Sequence, residues 1–350
     1  MRRVLWDLAR TSSSLSRHVP PQGLAYANQR HRLERVCSDV AAARLHSTPA
    51  RQHSEDHPKS LSSPVPTHLI FGANTDVGKT VLTAGLLQAA ATPPESNNDS
   101  FSTHYIKPLQ CGGSDEGFVL RNASCVTSTK TLFRWETPAS PHVAARMENK
   151  PVSDEQVMQA LHSYLQTIPR KDKYGTVPSK FSSIWIETAG GVLSPSSSSP
   201  DNNSTWHSKD SSGSGWVTQG DLYRPLGEKA AVVLVGDGRL GGISVTLCSL
   251  EALWRRGYTV AGVLLLRYGE GDYAEDVNQR ALQEHITGLA GTDSFHRASP
   301  LFQDPERSIV SLPVLPPEPV PLTDWYSSSE VKRTLSSFVH EHLFQHWEGK

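Results

Sequence analysis

Gly72-Ala73-Asn74-Thr75-Asp76-Val77-Gly78-Lys79-Thr80 is the stretch that decides how this chain folds. A short apolar run, His68-Leu69-Ile70-Phe71, precedes it. Lys79 to Ala91 (KTVLTAGLLQAAA) follows, with strong helix formers in helical periodicity. Strand, glycine-containing loop and helix in that order are the context a phosphate-binding loop requires. Backbone N–H groups at the start of the helix hold anionic phosphate, and the partial positive charge there assists. In that reading Lys79 reaches the β- and γ-phosphates and the Thr80 hydroxyl ligates Mg²⁺. The loop departs from the usual pattern in one place: Ala73 stands where the first glycine is usual, and Gly72 lies one residue earlier.

Downstream of this unit, short apolar runs alternate with helical stretches. Thr103 to Ile106 and Ser183 to Ile186 read as strands, and Ala230 to Val235 (AAVVLV) and Val260 to Leu266 (VAGVLLL) are apolar throughout. Runs buried on both faces and separated by helices indicate βαβ units. The expected fold is therefore α/β, a P-loop NTPase-like three-layer sandwich with a mostly parallel central sheet. Lys107, Glu187 and Asp237 each close one of these runs. In an open parallel sheet, ligands bind just beyond the carboxyl ends of the strands. Taken singly each is an ordinary loop charge, but together they converge on the edge that carries the phosphate loop.

Two segments break the alternation. Residues 194–220 are rich in Ser, Gly and Asn and read as a mobile surface insertion. Leu312 to Pro321 (LPVLPPEPVP) cannot be helical and should run extended. Ser329 to Trp347 then reads as an amphipathic helix, with His340, His342 and His346 as surface residues. Residues 1–60 are rich in Arg and Ser, and Asp7 is the sole acid before Glu34. That is the composition of a mitochondrial or plastid transit peptide, or of a disordered tail. The expected organisation is 1–60 transit peptide or disordered, 61–322 the P-loop domain, and 323–350 a C-terminal helix or a linker to a following domain.

The 350 residues carry a formal net charge of −1, which leaves no broad basic face for nucleic acid. No run is long and apolar enough to span a bilayer. The four cysteines, Cys37, Cys111, Cys125 and Cys248, lack metal-ligand spacing and read as free thiols. The expected metal is thus a hard ion held by oxygen, rather than zinc. Thr80, Asp115 and Glu187 offer such ligands, and Lys79 and Lys107 supply two positive charges. No Ser/His/Asp or Cys/His arrangement is evident, and His142 reads as a turn residue.

Four stretches resemble one family. GANTDVGKT, YIKPLQCG, SPH (Ser140 to His142) and ETAGG (Glu187 to Gly191) occur in this order in dethiobiotin synthetase. The resemblance covers roughly Thr67 to Pro316, apart from the Ser-rich insertion. GDGRLGGIS (Gly236 to Ser244) looks closest to the eukaryotic version, in which this domain precedes a diaminopelargonate aminotransferase and is sent to mitochondria. The resemblance implies that 7,8-diaminononanoate captures CO2 as a carbamate, that ATP phosphorylates it, and that the second amine closes the ureido ring. It makes Lys107 the catalytic lysine, with Thr75 beside the carbamate and Cys111 at the substrate. It assigns the triphosphate to Lys79 and the amides of Asp76, Val77, Gly78, Thr80 and Val81, with Glu187, Thr188, Ala189 and Gly190 also at the nucleotide. Mg²⁺ falls to Thr80, Asp115 and Glu187. The family is homodimeric, so a homodimer in the mitochondrial matrix is expected, with small-molecule substrates and no nucleic-acid or membrane partner.

Three positions depart from the family pattern. Cys111 replaces a Ser or Thr, and a thiol is a poor donor. Leu266 replaces the Asn that reads the base in bacterial members, and Asp76 replaces the usual Glu. Two other readings keep the fold. A MinD or partition-type ATPase switch would carry a signature lysine early in the loop, where this chain has Asn74. A regulatory domain that binds nucleotide without catalysis would not need Lys107 followed by Pro108. Without a pyridoxal-phosphate lysine context, no transaminase activity is expected of these residues.

Overall fold

The computed structural model describes residues 65–92, 101–169, 181–198, 217–227, 229–268, 276–289 and 299–344. The predicted targeting segment 1–60 lies outside them. Seven strands make one sheet: β1 (Thr67–Gly72), β2 (Phe101–Cys111), β3 (Ser128–Trp135), β4 (Phe181–Gly191), β5 (Ala231–Val235), β6 (Val260–Leu266) and β7 (Ile309–Leu312). Their order is β3-β2-β4-β1-β5-β6-β7, and every pairing is parallel. The longer helices are α1 (Lys79–Ala91), α2 (Asp115–Asn122), α3 (Pro141–Met147), α4 (Asp154–Thr167), α5 (Gly242–Trp254), α6 (Val277–Leu289), α7 (Thr323–Ser327) and α8 (Ser329–Ser336).

The middle strands explain the architecture. All six residues of β1 and all seven of β6 are buried, because both faces of the sheet are covered. One face packs Leu161 and Leu165 of α4, Leu250 and Leu253 of α5, and Ile286 of α6 against the sheet. The other packs Leu82, Leu86 and Leu87 of α1, Val119 of α2 and Leu335 of α8. Each such side chain contributes about 1.5–3 kcal/mol on leaving water. The result is the three-layer α/β sandwich expected from the sequence, with an all-parallel sheet.

β3 and β7 were not anticipated. They are the two edge strands; β3 (STKTLFRW) is only half-buried along most of its length. The insertion also differs from expectation at both ends. Pro195 bridges Thr218, the Ser194 Oγ accepts from the Gly191 amide at 2.8 Å, and Ser196 and Ser197 are buried. Its middle lies outside the described residues.

The C-terminal stretch corrects a second expectation. α8 stops at Ser336, and Ser337–Leu343 continue with the wider π-helical turn, which buries Phe338, Val339, His342 and Leu343. His340 donates to the Ala89 carbonyl (2.9 Å) and His342 to the Ala261 carbonyl (2.6 Å), so neither is a free surface residue. The Tyr326 hydroxyl donates to the Val81 carbonyl at 2.8 Å, which ties α7 to the first turn of α1.

Candidate active site

The loop between β1 and α1 turns through two residues of positive φ, Asp76 (+56°) and Gly78 (+88°). A short polar Asp tolerates that region, and glycine enters it freely. At Gly78 space also matters, since a Cβ there would sit 2.3 Å from Leu266 Cδ1. Gly72 has a different reason. Lys79 folds back over it, and a Cβ at Gly72 would lie 2.8 Å from the Lys79 Nζ. This accounts for the displaced glycine of the motif: it clears the path of the lysine side chain. The Lys79 ammonium donates to the Asn74 carbonyl at 3.3 Å.

β2 and β4 deliver the remaining charges. Tyr105 pairs with Trp185 and Ile106 with Ile186 in register, so Lys107 and Glu187 are brought to the same level. Glu187 is fully buried. Its Oε1 accepts from the Thr80 hydroxyl and from the Lys107 Nζ, both at 2.8 Å, and its Oε2 accepts from the Tyr105 hydroxyl at 3.2 Å. Lys107 also donates to the Thr188 carbonyl at 3.1 Å and to Asp115 Oδ2 at 2.6 Å. All three ammonium protons are thereby matched. Of the two carboxylates Asp115 is the accessible one, with its side chain 27 % exposed.

Electrostatics separates the two lysines. Burial alone would lower the Lys107 pKa, but the Glu187 and Asp115 charges together outweigh it and hold it above its ordinary value. Burial, and then the neighbouring Lys107 charge, lower Lys79 to about 8. Cys111 is pushed up to about 11, chiefly by burial, so it is a neutral thiol at neutral pH.

These groups share one cavity of about 750 Å³. Thr75, Asp76, Gly78, Lys79, Thr80 and Val81 line it from the loop side. Lys107, Cys111 and Asp115 line it from β2 and α2, and Glu187, Ala189 and Gly190 from β4. Val77 and Thr188, both expected near the nucleotide, are buried and do not line it. The Thr188 hydroxyl donates to the Ile70 carbonyl instead. Asp237 is not at the cavity either. Its carboxylate takes the Arg239 guanidinium through two 2.8 Å bonds. His142 sits in α3 and not in a turn.

Several lining residues had no distinctive signal in the sequence. Gln110 accepts from the Asp115 amide at 3.2 Å and sets the entry to α2. Phe118, Arg121 and Ser194 reach the cavity from segments that read as ordinary helix or insertion. Ser140 and Pro141 line it too, and these belong to the SPH stretch.

For a hard divalent cation the donors fit. The Thr80 hydroxyl and the Asp115 and Glu187 carboxylates face the cavity that the phosphate loop lines. Mg²⁺ is usually held by one or two carboxylates plus substrate phosphates. Among the described residues no group of three or more His, Cys, Asp or Glu side chains suits a metal by itself.

A phosphate loop opening a helix at the carboxyl edge of an all-parallel, doubly covered sheet places this chain in the P-loop nucleotide-binding class. Comparison with known proteins narrows the class. A family model described as an AAA domain matches residues 67–205. The mitochondrial bifunctional dethiobiotin synthetase/7,8-diamino-pelargonic acid aminotransferase of Oryza sativa subsp. japonica is 31 % identical over 85 % of this chain and 37 % of its own length. The ATP-dependent dethiobiotin synthetase of Clostridium kluyveri is 25 % identical over 59 % of this chain and 76 % of its own. Among solved structures, pNOB8 ParA bound to nonspecific DNA aligns with a TM-score of 0.42 and 11 % identity, over 82 % of this chain and 99 % of that one. The chain resembles dethiobiotin synthetases, the bifunctional eukaryotic ones included, and spans 22–37 % of the length of three such relatives.

Proposed function

We propose that this chain performs the ATP- and magnesium-dependent closure of 7,8-diaminononanoate and CO2 to dethiobiotin, a step of biotin biosynthesis. One observation carries the reading. The Lys107 ammonium, bound to Glu187 and Asp115, opens into the same cavity as the phosphate-loop lysine Lys79. A loop that only holds nucleotide has no use for a second buried cation facing it.

In this reaction one substrate amine adds to CO2 and loses a proton, which forms a carbamate. A carbamate oxygen attacks the γ-phosphorus and ADP leaves. The second amine then attacks the carbamoyl carbon, phosphate leaves, and the ring is closed. Lys107 neutralises the carbamate and its phosphorylated form, and Thr75 lies beside them. To reach the substrate Lys107 must surrender one of its three bonds, and the contact to the exposed Asp115 is the one that yields most easily. Lys79 and the loop amides hold the triphosphate. Thr80, Asp115 and Glu187 would hold Mg²⁺, which would supply neutralisation of the triphosphate charge. Cys111 contacts the substrate as a neutral thiol.

The same reading makes residues 61–322 the synthetase domain and residues 1–60 its targeting segment. It makes the protein a homodimer of the mitochondrial matrix, working with small molecules and fused to or associated with a diaminopelargonate aminotransferase. The rice and Arabidopsis thaliana relatives, both named as mitochondrial and bifunctional, support the compartment and the pairing. The test is release of ADP by the purified chain. Release should require bicarbonate and 7,8-diaminononanoate together, and release at full rate without either would refute the proposal.

A further inference from the structure

Tyr105 is fully buried in the middle of β2, two residues before Lys107, and read from the sequence it is only one more large residue of an inner strand. In the structure its hydroxyl donates to Glu187 Oε2 at 3.2 Å. A carboxylate offers about four acceptor positions. In Glu187, Oε1 accepts twice, from Thr80 and Lys107, and Oε2 once, from Tyr105. One position on Oε2 therefore remains.

Each of these bonds has a directional consequence. The bond from Thr80 spends the hydroxyl proton on Glu187, so that only oxygen lone pairs remain for a cation. That arrangement persists only while Oε1 faces Thr80. Rotation of the Glu187 carboxyl would undo it and would also release Lys107. Thr80 and Lys107 both pull on Oε1, and Tyr105 alone secures Oε2. We infer that Tyr105 is a positioning residue, which locks the Glu187 carboxylate so that the Thr80 hydroxyl and the remaining Oε2 position are presented together to a nucleotide-bound divalent cation. The inference rests on the magnesium–nucleotide part of the function proposed above. It does not depend on which acceptor is phosphorylated.

The experiment is calorimetric binding of a non-hydrolysable ATP analogue to the full chain, with and without Mg²⁺. The quantity read is the gain in affinity that magnesium brings. Hydrogen bonds to buried charged groups are strong enough that Tyr105→Phe should shrink this gain by about tenfold. Binding of the metal-free analogue should not change. Tyr326→Phe removes another hydroxyl from the same face of the sheet, the one that donates to Val81, and should leave the gain intact. Tyr105→Met fills the strand position without ring or hydroxyl and should lose the gain as Tyr105→Phe does; it serves if Tyr105→Phe folds poorly. A magnesium gain in either Tyr105 variant equal to wild type would overturn the inference, as would an equal loss of metal-free binding. A wild-type chain that gains nothing from magnesium would overturn both this inference and the function it rests on. A normal gain in wild type without ADP release would sink only the proposed reaction.

Discussion

Lys107 and Lys79 are two ammonium groups in one cavity, yet they are held differently and should fail differently. Lys107 is fixed by two carboxylates and a carbonyl, so Lys107→Ala should abolish turnover by at least about 10²-fold, the usual loss for a donor aimed at developing charge. Nucleotide binding should be largely kept, and near-normal turnover would contradict the role. Lys79→Ala should weaken nucleotide binding itself, measured as a higher Kd for the ATP analogue. Lys79 also carries a pH signature. Its pKa in the free protein is lowered to about 8, while the triphosphate requires the charged form. Below pH 8 the proton is already present and affinity should be level. Above pH 8 binding must draw in a proton, and affinity should fall by up to about tenfold per pH unit. Titrations from pH 7 to 9.5 check this, and a flat profile would place the Lys79 ammonium away from the phosphates.

Among the elements, the docking of α7 and α8 on α1 links the C-terminal region to the phosphate loop. Leu335 packs where a Cβ on Gly85 would lie only 2.6 Å from its Cδ1, and it is almost fully buried. Leu335→Ala should cost about 2–5 kcal/mol through lost burial and the cavity left behind, read as a lower denaturation midpoint at unchanged slope. A loss below about 0.5 kcal/mol would mean that this contact does not hold α8 in place. The sequence revealed some elements readily and others not at all, for physical reasons. β1, the loop and α1 were legible because a phosphate loop demands a strand before it and a helix after it. β4, β5 and β6 announced themselves through apolar runs. β3 did not, since an edge strand half-open to water needs no apolar run, and STKTLFRW mixes charges with its apolar positions. His340 and His342 looked like surface residues because a lone imidazole has no pattern, and only the π-helical turn brings them to backbone carbonyls, while His346 lies outside the described residues. In the site, Lys79, Thr80, Lys107 and Glu187 stood out at strand ends and in the loop. Tyr105 acts through a hydrogen bond to a strand distant in sequence, which leaves no local mark, and Gln110 through bonds to the Gly112 and Asp115 backbone, for which no residue pattern is distinctive.

At the scale of the whole molecule, the sheet buries an imidazole that it cannot charge. His68 lies within β1, fully buried, stacked on Trp185 at 4.3 Å between centroids, with no hydrogen bond to either ring nitrogen. Burial lowers its pKa to about 3. The unfolded chain takes up this proton near pH 6.5 and the folded chain does not, so stability should be unaffected above pH 6.5 and decline as the pH falls below it. Between pH 7 and 5 the wild type should lose about 2 kcal/mol more than His68→Leu, measured by denaturant unfolding. Equal losses would show that His68 is not the group responsible. No helix among the described residues is long and apolar enough to cross a membrane. Lys79 and Lys107 share the cavity at the sheet edge. The central claim is that this cavity joins CO2 to a diamine at the expense of one ATP. Incubation with ¹³C-bicarbonate, ATP, Mg²⁺ and 7,8-diaminononanoate measures it most directly, by mass spectrometry of the product alongside ADP. The account expects one labelled ureido carbon per ADP released, whereas ADP formed with no labelled dethiobiotin would contradict it.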